Sequence, residues 1–360
     1  MTSRFAQLAD VETGNSANIP MRNAQTRRGK RRLANSLPVG LALSFSSVFL
    51  FFVLLGMLRA NDIRRANEAR KSTMNPLDSI NTGQPNLFTY NIVAEFDHDP
   101  NAFTQGFEVL RDESSQKSSK LSPNGKEMPP TFIESTGLRG HSTVREVDIT
   151  SGEVLRSTVL VDEDFGEGIT RLGNKLYQVT WQGPKMIAYN VEDFTKKVEM
   201  STHLKDGWGI TNDGTNLIVG DSTNTLYYIN PNTSKTVKHI DVTDNGKPIT
   251  WLNELEWVDG LIYANIWQRE CIAQIEPNTG SVVGWVDLSG ITDKVKLHSP
   301  DKRVDVLNGI AWDGVDGKLY ITGKFWPKVY QIELRPLYFD SKNTDVDKMT
   351  ADIRIRCIIS

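Results

Sequence analysis

Reactive sulfur, clustered histidine and helical periodicity are all scarce in this chain. Its 360 residues hold two cysteines, Cys271 and Cys357, and five histidines. Two cysteines cannot make a disulfide framework. They can pair with each other in an oxidising compartment, but sequence alone does not show that their Cα atoms come close enough. No Cys/His spacing suits a metal, and no Ser-His or Cys-His arrangement offers a nucleophile. A concentrated basic face, which phosphate binding needs, is missing too. The net charge is −3, split into +6 over residues 1–60 (8 basic, 2 acidic) and −9 over the remainder (33 and 42). The bulk of the chain is thus mildly acidic, which excludes a nucleic-acid partner.

Long hydrophobic runs are absent with one exception. Residues 37–58, LPVGLALSFSSVFLFFVLLGML, are 22 residues without a charge, long enough to cross a bilayer as a helix rising about 1.5 Å per residue. Arg27, Arg28, Lys30, Arg31 and Arg32 precede the run, whereas Asp62 and Glu68 dilute the basic residues after it. The positive-inside rule then predicts a cytosolic basic tail at 1–36, a transmembrane signal anchor at 37–58, a polar stalk at 59–87 and a lumenal domain at 88–360. That is a type II topology in the endoplasmic reticulum or Golgi, with the membrane engaged through 37–58. A cleaved signal peptide is the rival, although its apolar core would ordinarily be only about 7–15 residues. Asn232-Thr233-Ser234 is a glycosylation sequon, consistent with a secretory setting.

What the rest of the chain does have is repetition. Short β-branched and aromatic runs alternate with Gly, Asn and Asp turns, a strand signal. One short element recurs five times, as QGF at 105, EGI at 167, WGI at 208, NEL at 253 and NGI at 308. In four cases a turn and a second strand follow, as in LGNKLYQV, NDGTNLIV, VDGLIYAN and DGVDGKLYI. The intervals are 62, 41, 45 and 55 residues, and the first falls to 43 without the polar excursion at 112–130. Repeats of about 40–50 residues with four short strands predict a β-propeller. Such a sheet has two apolar faces that only neighbours can cover. The expected fold is all-β: a five-bladed β-propeller preceded by a single transmembrane helix.

Counting along the hairpins gathers residues at one rim. Two strands near five residues bring position n back beside about n+14, so Glu167 returns to Trp181 and Asn253 to Trp267. Gln105, Glu167, Asn253, Trp181, Trp208, Trp267 and Lys324 would share one mouth. Apolar walls around a few placed polar groups are the make-up of a small-molecule site. Indoles would raise the Glu167 pKa by desolvation and Lys324 would lower it, tuning the acid toward proton transfer. The blander readings are a structural cation on Glu167 and a solvated rim charge at Lys324.

The motifs AFTQGF, DFGEGITRL, LYQVTWQ, GWGITNDG, LNELEWVDGLIYANIW, VLNGIAWD and LYITGKFWPKVYQ, in that order, resemble the plant-type glutaminyl-peptide cyclotransferases, over residues 88–360. The resemblance implies conversion of the N-terminal glutamine of peptides and proteins to pyroglutamate with release of ammonia. It implies Glu167, Asn253 and Lys324 as catalytic residues. Phe103, Gln105, Phe165, Trp181, Trp208, Glu254 and Trp267 would bind substrate. No catalytic cofactor is implied, but a structural calcium ion in the central channel is, with no ligand set. The competing classes are a membrane-anchored propeller ectodomain that only binds a ligand, and a metal-dependent propeller hydrolase using Glu167, Asn253 and Asn308.

Overall fold

Apolar and polar residues between tight turns fold here mostly as short antiparallel strands, buried on nearly every residue in inner strands such as Thr131–Thr136 and alternating only at the outer edges. The computed structural model describes residues 85–111, 130–299, 303–337 and 345–358. A long strand β1 (Asn86–Asp97) leads in. Three four-stranded sheets follow in chain order. The first holds β2 (Thr104–Leu110), β3 (Thr131–Thr136), β4 (Thr143–Asp148) and β5 (Val154–Val159). The second holds β6 (Gly166–Leu172), β7 (Lys175–Thr180), β8 (Lys185–Asn190) and β9 (Lys196–Ser201). The third holds β10 (Ile210–Asn212), β11 (Leu217–Gly220), β12 (Thr225–Ile229) and β13 (Thr236–Asp241). A two-stranded ribbon, β14 (Thr243–Asp244) with β15 (Lys247–Pro248), precedes the last group. That group comprises β16 (Leu252–Val258), β17 (Leu261–Ile266), β18 (Cys271–Ile275), β19 (Val282–Asp287), β20 (Leu307–Asp313), β21 (Lys318–Gly323) and β22 (Lys328–Pro336).

The expected five separate blades are corrected by this last group. It forms one eight-stranded sheet in the order β16-β17-β18-β19-β1-β22-β21-β20. The physical reason lies in strand supply. The repeat that opens on Asn308 makes only three strands of its own, so β1 supplies the missing edge partner. β1 runs antiparallel along β22 from Phe88↔Pro336 to Asp97↔Lys328, and its first residues pair parallel with β19, from Asn86↔Gly284 to Phe88↔Val286. The architecture is therefore one eight-stranded sheet, three four-stranded sheets and a ribbon. The expected membrane helix is not found either. No helix among the described residues is long and apolar enough to cross a membrane, and residues 37–58 lie outside the described residues.

Two short helices escaped the sequence reading. α1 (Ile291–His298) buries only Ile291 and Val295. α2 (Val346–Cys357) is capped by Asp345 accepting from the Lys348 N–H, and buries Thr350, Ile353 and Cys357. So few apolar positions make no recognisable period. Cys357 at the end of α2 is disulfide-bonded to Cys271 at the start of β18, with Cα atoms 5.5 Å apart. Arg354 adds a two-pronged ion pair to Asp244 at 2.7 and 2.5 Å, and Asp244 also accepts from the Trp285 indole at 2.9 Å.

Each recurrent element is a β-bulge or a close backbone crossing. The register shifts between Thr104 and Gly106, Gly166 and Ile169, Leu252 and Leu255, and Leu307 and Ile310. A bulge leaves an extra residue out of the ladder and re-aims its side chain. The extra residues here are the polar ones: Gln105, Glu167, Asn253 with Glu254, and Asn308. Glycine follows because the inner strands of successive repeats touch backbone to backbone. A Cβ on Gly168 would lie 2.7 Å from the Trp208 carbonyl oxygen, and one on Gly209 would lie 1.9 Å from that of Asn253. Glu254 takes the glycine's place in the fourth repeat. Its carboxylate accepts from the Ile310 N–H at 2.9 Å and more loosely from Phe107 N–H at 3.4 Å, tying three inner strands together.

A buried charge cluster locks the exit of β1. Glu134 on β3 accepts from Thr104 Oγ1 at 2.6 Å, Arg145 Nε at 2.8 Å and His98 Nε2 at 3.1 Å. Arg145 also donates to Asp99 at 2.9 Å. The other His98 nitrogen faces the Trp326 carbonyl at 2.7 Å. Both ring nitrogens thus meet acceptors, which requires an imidazolium. Burial opposes that charge, but adjacent Glu134 prevails and His98 sits above its ordinary value. Burial likewise pushes Glu134 up, yet Arg145 and His98 hold it well below the usual carboxylate range.

Candidate active site

The bulge on β6 turns Glu167 into the interior, where it is 4% exposed. Its backbone is fixed from both sides. Gly168 N–H donates to Trp208 O at 2.8 Å, and Glu167 O accepts from Ser135 Oγ. Ser135 accepts in turn from Gln178 Nε2 at 2.7 Å, and Gln178 Oε1 accepts from the Tyr189 hydroxyl at 2.9 Å. The carboxylate itself accepts from Gln105 Nε2 at 3.1 Å.

Electrostatics set the acid apart. Burial pushes Glu167 well above the usual carboxylate range; Lys324 pulls it back and Asp206 adds to the push. Lys324 is also buried, and burial lowers its ammonium below the ordinary lysine value against the pull of Glu167 and Asp305. Its Nζ lies 4.7 Å from the centre of the Phe103 ring. The two shifts run toward each other, which narrows the gap between a buried acid and a buried base within electrostatic reach.

Two aromatic groups wall the site. Phe103 stands edge-on to Phe165 at 6.0 Å and packs on Phe325 at 5.2 Å, while Phe165 meets Trp181 at 5.3 Å. In the second group Trp208 lies 5.9 Å from both Trp251 and Trp267, which are 5.1 Å apart. Asp206 accepts from the Trp208 indole at 3.0 Å. The phenylalanines are buried and the four indoles half-buried, so the outer wall is open to an approaching chain.

The structure brings Gln105, Glu167 and Lys324 together, and assembles Phe103, Phe165 and Trp181 in one wall with Trp208 and Trp267 in the other. Asn253 is buried on the β16 bulge, its carbonyl against Gly209. Glu254 is engaged by backbone N–H groups. Hairpin counting missed the backbone partners, because each bulge adds to the count. Trp181 N–H actually bonds to Phe165 O, Trp267 N–H to Trp251 O, and Lys324 N–H to Val306 O. Trp251, Asp206 and Phe325 were not anticipated as site residues, and Asn308 was anticipated only as a channel residue of the metal-hydrolase alternative. A signal for Trp251 existed: an aromatic stands two residues before the polar bulge residue at Phe103, Phe165 and Trp251 alike.

A second cavity, of about 370 Å³, opens further along the same inner strands, lined by Glu108, Thr170, Asn212, Glu256, Trp257 and Trp312 among others. Burial pushes Glu108 up to about 7, against donors from Arg171 and Thr170. Burial, then the nearby Glu108, pushes Glu256 well up. These acids lie about three residues, roughly 10 Å, along the strands from the Glu167 cluster.

A family model described as glutamine cyclotransferase matches residues 65–334. A protein of Arabidopsis thaliana named glutaminyl-peptide cyclotransferase is 38% identical over 325 residues, covering 89% of this chain and 90% of that one. The crystal structure of Myxococcus xanthus glutaminyl cyclase superposes with a TM-score of 0.62 at 29% identity, covering 71% of this chain and 100% of that chain. With Glu167, Gln105 and Lys324 gathered at the motifs that first suggested it, the chain belongs to the glutamine cyclotransferase family.

Proposed function

We infer that this protein is a glutaminyl-peptide cyclotransferase, converting the N-terminal glutamine of peptides and proteins to pyroglutamate. The observation that carries the reading is the buried Glu167 carboxyl, raised by burial and set between Gln105 and Lys324. In the reaction the neutral α-amine attacks its own γ-carbonyl carbon. A new C–N bond forms and a tetrahedral oxyanion develops. Glu167 takes a proton from the attacking nitrogen and delivers it to the amide nitrogen, whose C–N bond breaks to release ammonia. Lys324 and Asn253 donate to the oxyanion. The indoles hold the glutaminyl methylenes so that the side chain folds back on its own amine, and Phe103 and Phe165 shape the pocket floor. Incubating the protein with a Gln-initiated peptide should yield a product lighter by one ammonia in mass spectrometry. Unchanged peptide mass with a folded protein would reject the activity.

The structural calcium implied by resemblance finds no acidic cage. Among the described residues no group of three or more His, Cys, Asp or Glu side chains could hold a metal. Calcium takes about 6–8 oxygens, and two inner-strand carbonyls, Thr104 O and Glu167 O, already accept side-chain hydrogen bonds. Main-chain carbonyls would have to supply the ligands, and no step here depends on the ion.

We also propose that the domain is exposed to an oxidising secretory lumen. Two features support this: the Cys271–Cys357 disulfide, and the exposure of Asn232 and Thr233 on the turn between β12 and β13. Expressed in its own secretory pathway, the protein should shift in gel mobility on glycosidase treatment, and Asn232→Gln should abolish that shift. A wild-type protein indifferent to glycosidase would count against lumenal exposure.

A further inference from the structure

Resting on the cyclotransferase reading with Glu167 as the base, we propose that Asn308 is a positioning residue for the reaction. By fixing which way the Gln105 amide faces, it ensures that Glu167 meets an N–H donor rather than a carbonyl oxygen.

A primary amide has two ends of similar shape and opposite polarity, so its orientation is set only by its partners. Gln105 reaches Glu167 with Nε2 at 3.1 Å. Turned over, it would set a lone pair against a carboxylate. What opposes that turn is Asn308, whose Nδ2 donates to Gln105 Oε1 at 3.3 Å. Asn308 is itself held by groups that cannot rotate. Its Nδ2 also donates to the Thr104 carbonyl at 3.0 Å, and its Oδ1 accepts from the Glu254 N–H at 3.4 Å. The polarity therefore passes from main chain to Asn308, then to Gln105, then to Glu167. All three side chains are buried, at 0%, 2% and 4% exposure, so water has little access to compete for the same bonds.

The bulge bearing Asn308 is independently braced. Gly309 N–H donates to Asn265 Oδ1 at 2.9 Å, and Gly309 adopts φ 135°, which a side chain would resist. The charged groups acting on Glu167 are Lys324 from the turn after β21 and Asp206 from the segment before β10. Neither touches Asn308 in any hydrogen bond described above, so the relay is a separate control on how readily Glu167 gives up its proton.

The test is the pH profile of kcat/KM. A hydrogen bond to a charged group contributes about 1.5–3 kcal/mol, and one pH unit is about 1.4 kcal/mol. Asn308→Asp offers Gln105 only oxygen, so the amide turns its N–H₂ toward Asp and its oxygen toward Glu167. The acidic limb should move up by about one pH unit or more, with activity on that limb about tenfold lower at a given pH. Asn308→Ala, which adds no charge, should move the limb in the same direction by less, and decides the matter if the Asp variant does not fold. The substrate amine titrates identically in every variant, so its contribution cancels. Folded variants that lose activity with the limb unmoved would overturn the proposal and leave Asn308 merely structural. Glu167→Gln run alongside separates the failures: near-normal turnover there removes the base itself rather than its positioning.

Discussion

Glu167→Gln should cut kcat by about 10²-fold or more while the protein stays folded. Glutamine keeps the size of the side chain and can still engage Gln105, but it cannot take the amine's proton. Stability should hold for a reason that can be signed. Burial raises the folded-state pKa of Glu167, so its contribution is fully present below the unfolded carboxylate value, about 4.3. It is lost as pH rises through the raised folded value. The variant never ionises there. Its melting temperature should match the wild type at pH 5 and equal or exceed it at pH 8. Near-wild-type turnover, or a variant that fails by unfolding at both pH values, would show the carboxylate to be structural.

Glu134→Gln should have the opposite profile: a large loss of stability from a residue that the chemistry does not use. It removes the anion shared by Arg145 and His98 and leaves two buried cations, of which Arg145 keeps only Asp99 among its carboxylate partners. Breaking a buried pair by removing one partner costs about 3–5 kcal/mol, or a drop of roughly 10 °C in melting temperature for a domain this large. The pH dependence follows from the two shifts. Glu134 is lowered in the fold, so its contribution is present above the unfolded value near 4.3 and lost as pH falls through the folded one. His98 is raised, so its contribution is full below about 6.5 and lost as pH rises through its folded value. The wild-type cluster is thus strongest between about pH 4.5 and 6.5. Without Glu134, burial favours neutral His98, and the stability gap to wild type should narrow as pH rises from 5 to 8. A Gln variant that melts with the wild type across this range would mean that the cluster is energetically idle.

The recurrent polar positions were more legible than the strand pairing around them. The recurrent QGF, EGI, NEL and NGI elements announce themselves because a bulge that aims one polar side chain inward, against a neighbouring backbone, tolerates few residue types. Gln105 and Glu167 could be picked out on that pattern. Trp251 was passed over because the turn carrying it was counted without the bulge's extra residue, although it stands two residues before Asn253 as Phe103 and Phe165 stand before Gln105 and Glu167. The separate sheets expected for all repeats failed at the last one, since nothing local in NLFTYNIVAEFD says that its partner is KVYQIELRP far along the chain. The helices were invisible for a plainer reason. α1 buries two residues and α2 three, and their stability comes from contacts made after folding, with the disulfide and Asp244 holding α2 in place.

The pairing of Phe88 with Pro336 has a consequence for how the molecule comes to be folded. Among the described strands β1 is made first and its main partner β22 last, so that edge of the longest strand stays open while the strands between them are being made. Contacts so remote in sequence must await a large loop closure, which slows folding and prolongs exposure to strand-edge aggregation. Asn91, Glu95 and Asp97, which flank the exposed Val93 along β1, discourage such edge-to-edge pairing. The strand that completes the eight-stranded sheet is thus also the one whose pairing closes the longest loop in the fold.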